Sequence, residues 1–226
     1  MKRKLYTELA YVLGMLILPF GAALMTMADF GLSMIVAPAY ILHSKVSQTF
    51  SFFTFGTAEY TLQAVLLIAM IAVIRKFRLS YLLSFVTAFF YGLLLDGYIA
   101  VLDGICWEPL YMRLTAYFIG LLLTAIGVAF FFRTYISPEV YELAVKEVSA
   151  KIRIPLSKFK TFYDCGSLAV SVIFSFAFFG LWHFEGIGWG TFFCALVNGW
   201  LIGMIDKIIG KFFEFKDGLK WRNFFE

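Results

Sequence analysis

Phe55-Gly-Thr-Ala-Glu-Tyr60 and Phe159-Lys-Thr-Phe-Tyr-Asp164 read as two versions of one segment, and each opens a long apolar run. The match extends outward in both directions. Upstream, Gly21-Ala-Ala-Leu-Met25 stands where Gly127-Val-Ala-Phe-Phe131 does; downstream, Phe85-Val-Thr-Ala-Phe-Phe-Tyr-Gly92 stands where Phe192-Phe-Cys-Ala-Leu-Val-Asn-Gly199 does. The pattern is that of a tandem duplication. In a membrane protein the number of spans per copy decides whether the halves point the same way or opposite ways.

Composition puts the chain in a bilayer. Of 226 residues 62% are hydrophobic and 15% charged, with a mean hydropathy of +0.84, more apolar surface than a soluble domain buries. Six runs are long enough to cross hydrocarbon as helices, which takes roughly 20 residues: 9–28, 56–74, 79–102, 111–132, 161–182 and 187–206. They are apolar all round rather than alternating, so the expected class is an all-α polytopic membrane protein and not a barrel. The first run follows Met1-Lys-Arg-Lys4 and has the outline of a secretory signal. Its repeat counterpart, 120–132, is internal and cannot be cleaved, so the run is read as a retained span. Cys106, Cys165 and Cys194 have no CxxC spacing and indicate neither a disulfide framework nor a zinc site.

Basic residues orient the spans, since cytoplasmic segments retain Lys and Arg. The N-terminus, the 75–78 link, the 133–160 connection and the segment after 206 hold 17 of the 19; only Lys45 and Arg113 fall on the other side. Both termini are therefore expected in the cytoplasm. Two connections are too long for turns. In 133–160, Ser137-Pro138-Glu139 marks a helix start, and Val140, Leu143, Ala144 and Val148 recur at helical spacing with Glu142, Lys146, Glu147 and Lys151 between them. This predicts an amphipathic helix over 138–152 lying along the membrane surface or against the bundle. The equivalent piece, 33–48, is more apolar, is interrupted by Pro38, and suits a re-entrant helix. If neither crosses, each repeat (1–106 and 107–210) has three spans. Three is odd, so the halves are expected to be inverted.

An ionisable side chain near the bilayer centre costs about 3 kcal/mol on insertion scales, so each one needs a partner, a wet cavity or a purpose. Glu59 and Asp164 lie one turn into the second and fifth spans. Either they are boundary acids that match the helix dipole, or they are a carboxylate pair that binds a cation or exchanges a proton. Asp96, in the outer third of the third span, is interfacial or takes a direct part. Tyr91 and Asn198 are repeat-equivalent, each followed by a glycine, near the expected midplane; they line a central site or make an interhelical hydrogen bond. Asp29 and Arg133 are boundary residues, with Glu139 or Asp164 as a partner for Arg133. His43 and His183 read as surface imidazoles, no metal pattern being present. Gly186-x-Gly-x-Gly190 reads as a turn and close packing, and Gly199-Trp-Leu-Ile-Gly203 as a tight helix-contact face, within the chain or across a homodimer.

No Walker sequence, GxSxG elbow or HExxH occurs. A hydrolase or ATP-driven pump is thus unsupported, and the chain is read as a non-enzyme without cofactor or metal. The tail 211–226 interleaves Lys and Arg with Phe212, Phe213, Phe215, Trp221, Phe224 and Phe225, which suits a cytoplasmic helix in the headgroup layer. Membrane topology accounts for the basicity, and nucleic acid has no separate support.

The pattern Gly21-x-Ala-Leu-Met-x-x-Ala28-Asp29-Phe-Gly31-x-Ser33 followed by Phe55-Gly-Thr57, with a weaker second copy around Ser137-Pro138 and Lys160-Thr161, resembles the YczE/YitT-like bacterial integral membrane proteins from about residue 9 to 210. The resemblance implies a bacterial inner-membrane protein of duplicated halves and brings no substrate or catalytic residues with it. The second copy departs from the pattern, reading Thr134-Tyr135-Ile136-Ser137 where the first has its Ala-Asp. The functional expectation is a small secondary transporter or permease for a small solute, cationic and proton-coupled if Glu59, Asp96 and Asp164 act, with Tyr91 and Asn198 at the centre. The alternative is a non-transporting accessory or scaffold protein with a dry interior.

Overall fold

The computed structural model describes residues 3–219 and Arg222. Six of its helices are long and apolar enough to cross a membrane: α1 (Thr7–Ala28), α3 (Phe55–Ile74), α4 (Leu83–Leu102, led by a 3-10 turn over Leu79–Leu82), α5 (Leu110–Phe132), α7 (Leu156–Phe179) and α8 (Trp189–Phe212). The shorter α2 (Ala37–Val46) and α6 (Val140–Ile152) fall in the two long connections. Most limits agree with the hydropathy reading. The exceptions are α7, which starts five residues before 161, and α8, which ends six after 206. Both extend into charged sequence because the charges are paired: Lys160 with Asp164, and Asp206 with Arg133.

The centre is α1 packed against α5, joined through glycines. A Cβ added at Gly21 would lie 2.7 Å from the Gly120 carbonyl oxygen, one at Gly120 would lie 2.6 Å from that of Gly21, and one at Gly14 would lie 3.0 Å from that of Gly127. Gly14 and Gly21 thus meet Gly127 and Gly120 crosswise, and the backbones approach as small residues allow. Around this pair, α4 packs on α1 and α8 on α5.

Both chain ends gather at one end of the bundle. Strand β1 (Arg3–Tyr6) pairs in parallel with β2 (Phe213–Lys216), and Glu8 accepts hydrogen bonds from the Tyr135 hydroxyl and from the backbone N–H groups of Gly218 and Leu219. Arg133 donates to Asp206 at 2.8 Å and not to Glu139 or Asp164. The expected headgroup-layer helix gives way to a strand over 213–216, because β1 offers an edge and the half-buried Phe213 and Phe215 alternate with exposed Glu214 and Lys216. Trp221, Phe224 and Phe225 lie outside the described residues. The far end is locked by backbone contact. Gly190 N–H donates to Phe30 O, and Leu32 N–H to Gly186 O, both at 2.9 Å. Gly31 has φ +105°, and a side chain there would meet the Gly188 nitrogen at 2.3 Å, so only glycine serves. Arg113 bridges to Asp29 at this end and also donates to the Ala28 carbonyl at 2.8 Å, capping α1.

The short helices dip inward and return to the end they came from. Met34 O, just before α2, accepts from Ser167 halfway along α7 at 2.7 Å, while Lys45 near the end of α2 sits over the Phe179 ring at the far end of that helix. From the opposite end, Ser137 O accepts from Thr87, a turn into α4, and Glu147 then returns to Arg78 and Tyr81 at the terminal end. Of the two placements expected for α6, the membrane surface is not the one adopted. Val140, Leu143 and Ala144 pack on Leu67, Met70 and Ile74 of α3, and Tyr141 and Glu142, the latter read as part of a polar face, are buried as well.

Candidate functional site

The inward turns bring both short helices to one cavity of about 400 Å³, walled by α1, α3 and α4. Ser33 to Val36 reach it from before α2, and Glu139, Tyr141 and Glu142 from the start of α6. Thr54 caps α3, its hydroxyl oxygen accepting from the Thr57 N–H. That fixes the helix start and puts Glu59 and then Gln63 on the cavity wall one and two turns later. Gln63 donates to Glu59 at 3.3 Å. Pro138 precedes the first turn of α6, which therefore begins with acids, where a carboxylate suits the helix dipole.

A charged cluster runs from the cavity wall, where Glu142, Lys160 and Asn198 lie, to Asp164 behind it. Lys160 and Asp164, four residues apart on α7 and thus on one helix face, are both 0% exposed and 2.9 Å from each other. Glu142 comes within 3.6 Å of the same ammonium group, and Asn198 of α8 donates to Asp164 at 3.1 Å. Among the described residues the site therefore holds five carboxylates, Glu59, Asp96, Glu139 and Glu142 on the wall and Asp164 behind it, against one lysine. Among the described residues neither Glu59 nor Glu139 has a basic partner within ion-pair distance. Glu139 Oε1, Glu142 Oε2, Gln63 Oε1 and Asn198 Oδ1 are buried without a hydrogen-bond partner in the protein, an arrangement that costs about 1–3 kcal/mol per group unless something else supplies the contact. Burial holds the Glu139 carboxyl well above the usual carboxylate range, and the neighbouring Glu142 and Glu59 push it in the same direction.

Of the residues singled out from sequence, Glu59, Tyr91, Asp96 and Asn198 all touch the cavity. Asp96 is exposed at its rim. Asp164 is not on the wall; it lies behind, tied to Lys160 and Asn198. Lys160, Glu139, Glu142 and Gln63 were not among the candidates. The spacing of Lys160 and Asp164 was readable as a helical ion pair. The acids of α6 carried no such signal, because nothing local says that a helix between two spans turns inward.

The two sides of the site differ in packing. α7 and α8 are closely packed, a Cβ at Gly199 meeting Thr161 Oγ1 at 2.2 Å and one at Gly203 meeting Ser157 Cβ at 2.6 Å. This glycine face packs on α7 within the chain. α3 and α4 approach less closely, meeting through the Tyr60 and Phe85 rings at 6.4 Å, and a Cβ at Gly92 would meet nothing within 4 Å.

Comparison with known proteins gives one match, to a family of unknown function, DUF6198, over residues 5–207. No curated protein and no solved structure matches the chain.

Proposed function

The chain belongs to the DUF6198 family, whose function is unknown, and from the cavity we propose that it is a small membrane permease for a cationic solute, coupled to protons. The observation that carries this reading is the charge imbalance among the described residues: Glu59, Asp96, Glu139 and Glu142 on the wall of a cavity of about 400 Å³, with Asp164 behind it, against one lysine. A buried net negative charge is tolerated only with a counter-charge or with protons, and a solute cation exchanging with protons supplies either in turn. Glu59 and Glu139, which lack basic partners, are the cation and proton carriers in this scheme; Lys160 and Asp164 are positioning residues that hold Glu142 and Asn198.

The same reading takes the halves as inverted repeats in a bacterial inner membrane, with both termini cytoplasmic. Support comes from the crosswise glycine contacts between α1 and α5, in which Gly21 and its repeat counterpart Gly127 each meet the other helix. The exchange of short helices, with α2 reaching α7 and α6 reaching α3, supports it too, and midplane sites at such a repeat interface are a recurring transporter design.

The test is flux in proteoliposomes of the full chain holding a pH-sensitive dye, challenged with a panel of inorganic and organic cations. The expected result is cation-driven proton release that Glu59→Gln and Glu139→Gln each reduce at least tenfold. Flux indifferent to both substitutions overturns the carboxylate mechanism, and no flux with any cation in the panel overturns transport.

A further inference from the structure

Resting on the reading of the cavity as a cation site, we propose that its ligand is an organic cation with an apolar, ring-sized body, which reaches the site from the lipid through the gap between α3 and α4.

Three observations converge on that class. The first is the gap. In the second half of the chain Gly199 of α8 is closed down on Thr161 of α7, whereas its repeat counterpart, Gly92 of α4, borders the cavity with nothing within 4 Å of an added Cβ. Because α3 and α4 are both spans, a gap between them opens sideways into the bilayer, where an amphiphilic cation concentrates and a hydrated inorganic ion does not.

The second is the lining. Phe55 and Tyr60 of α3 and Phe89 of α4 wall the cavity and are 39%, 41% and 53% exposed. Ring faces attract a cation through their quadrupole and take up an apolar body as well. The volume, about 400 Å³, falls at the small end of pockets that hold organic ligands.

The third is the arrangement of the acids. Glu59 and Glu139 approach the cavity from different helices without basic partners, and among the described residues no three His, Cys, Asp or Glu side chains converge closely enough to hold a metal ion. Dispersed carboxylates in an apolar wall suit a delocalised or quaternary charge, which needs neutralising but has no coordination sphere to fill. A compact metal ion needs several oxygens at once.

The experiment uses the full chain in lipid nanodiscs at pH 8, with thermal shift and equilibrium binding as readouts. The probes are 1-methyl-4-phenylpyridinium, its uncharged relative 4-phenylpyridine, and two compact cations, tetramethylammonium and potassium. The inference expects the aromatic cation to bind at least tenfold more tightly than the neutral relative and than either compact cation. Glu59→Gln and Glu139→Gln are each expected to weaken it at least tenfold. Gly92→Trp, placed at the gap, is expected to slow association of the aromatic cation at least tenfold in a binding time course, with circular dichroism confirming that the variant folds. If the compact cations bind in a Glu59- and Glu139-dependent way and the aromatic cation does not, the organic-cation inference falls while the cation cavity stands. If no cation binds, or if binding ignores both glutamates, the reading beneath it falls too. Association by folded Gly92→Trp at the wild-type rate overturns the route through the gap.

Discussion

Replacing Lys160 with methionine keeps the length of the side chain and removes the one positive charge that the described residues place in the buried cluster. The ammonium lies 2.9 Å from Asp164 and 3.6 Å from Glu142, attractions of about 6 and 5 kcal/mol at an effective dielectric of about 20. Burying each of the three ions costs several kcal/mol, so most of this attraction is already spent on desolvation. What the substitution exposes is the remainder, two carboxylates left buried without a cation, and the expected loss is about 3–5 kcal/mol. At about 2–4 °C per kcal/mol for a chain of this length, the melting temperature should fall by ~10 °C. The assay is thermal unfolding of purified protein at pH 8, run as a double-mutant cycle with Asp164→Asn. Because that second change removes one of the orphaned charges, the double variant should recover a good part of the loss, and the coupling should exceed about 1 kcal/mol. A Lys160→Met variant within about 1 kcal/mol of wild type, or strictly additive losses, would refute the view that this lysine holds the acids of the site together.

Stability should also fall as pH rises above the ordinary carboxylate value near 4.5, because Glu139 is raised in the folded state and its contribution, complete at low pH, is lost as the pH climbs through the folded value. The groups that face it are Glu142 and Tyr141 on its own helix, Glu59 from α3, Lys160 from α7, Tyr11 from α1 and Tyr91 from α4; Glu139→Gln should flatten the plot of melting temperature against pH, and an unchanged slope rejects the assignment. Gly199 and Gly92 should respond oppositely to leucine: Gly199→Leu collides with Thr161 and should cost about 3 kcal/mol or more, while Gly92→Leu should stay within about 1 kcal/mol of wild type, and equal losses in thermal unfolding contradict the open gap. Gly21→Leu should be as damaging as Gly199→Leu, since its first side-chain carbon already meets the Gly120 carbonyl oxygen at 2.7 Å; folded yield after detergent extraction checks this.

The membrane spans were legible because hydropathy is a local, additive property: twenty apolar residues announce a helix in lipid whatever lies beside them. Tyr91, Asn198 and Glu59 were legible for a related reason, as polar groups at costly positions, and all three touch the cavity. The strand pair Arg3–Tyr6 with Phe213–Lys216 was not, since neither tetrapeptide pairs without the other. Nor was the place of Asp164, because whether a span acid faces a cavity or a lysine depends on how its helix is rotated against its neighbours.

By itself, then, the sequence determined that this chain has six helices long and apolar enough to cross a membrane, with two short connecting helices, and that few ionisable groups enter the apolar region. The tertiary structure alone decided that α6 turns inward and carries Glu139 and Glu142 to the same cavity as Glu59, and that Lys160 serves these acids rather than the membrane surface. It also decided which of two equivalent glycines is packed shut. The physical reason is one of range. Burial in lipid is set residue by residue along the chain, whereas the partner of a buried charge and the gap between two helices are set by segments far apart in sequence, whose meeting no local pattern encodes.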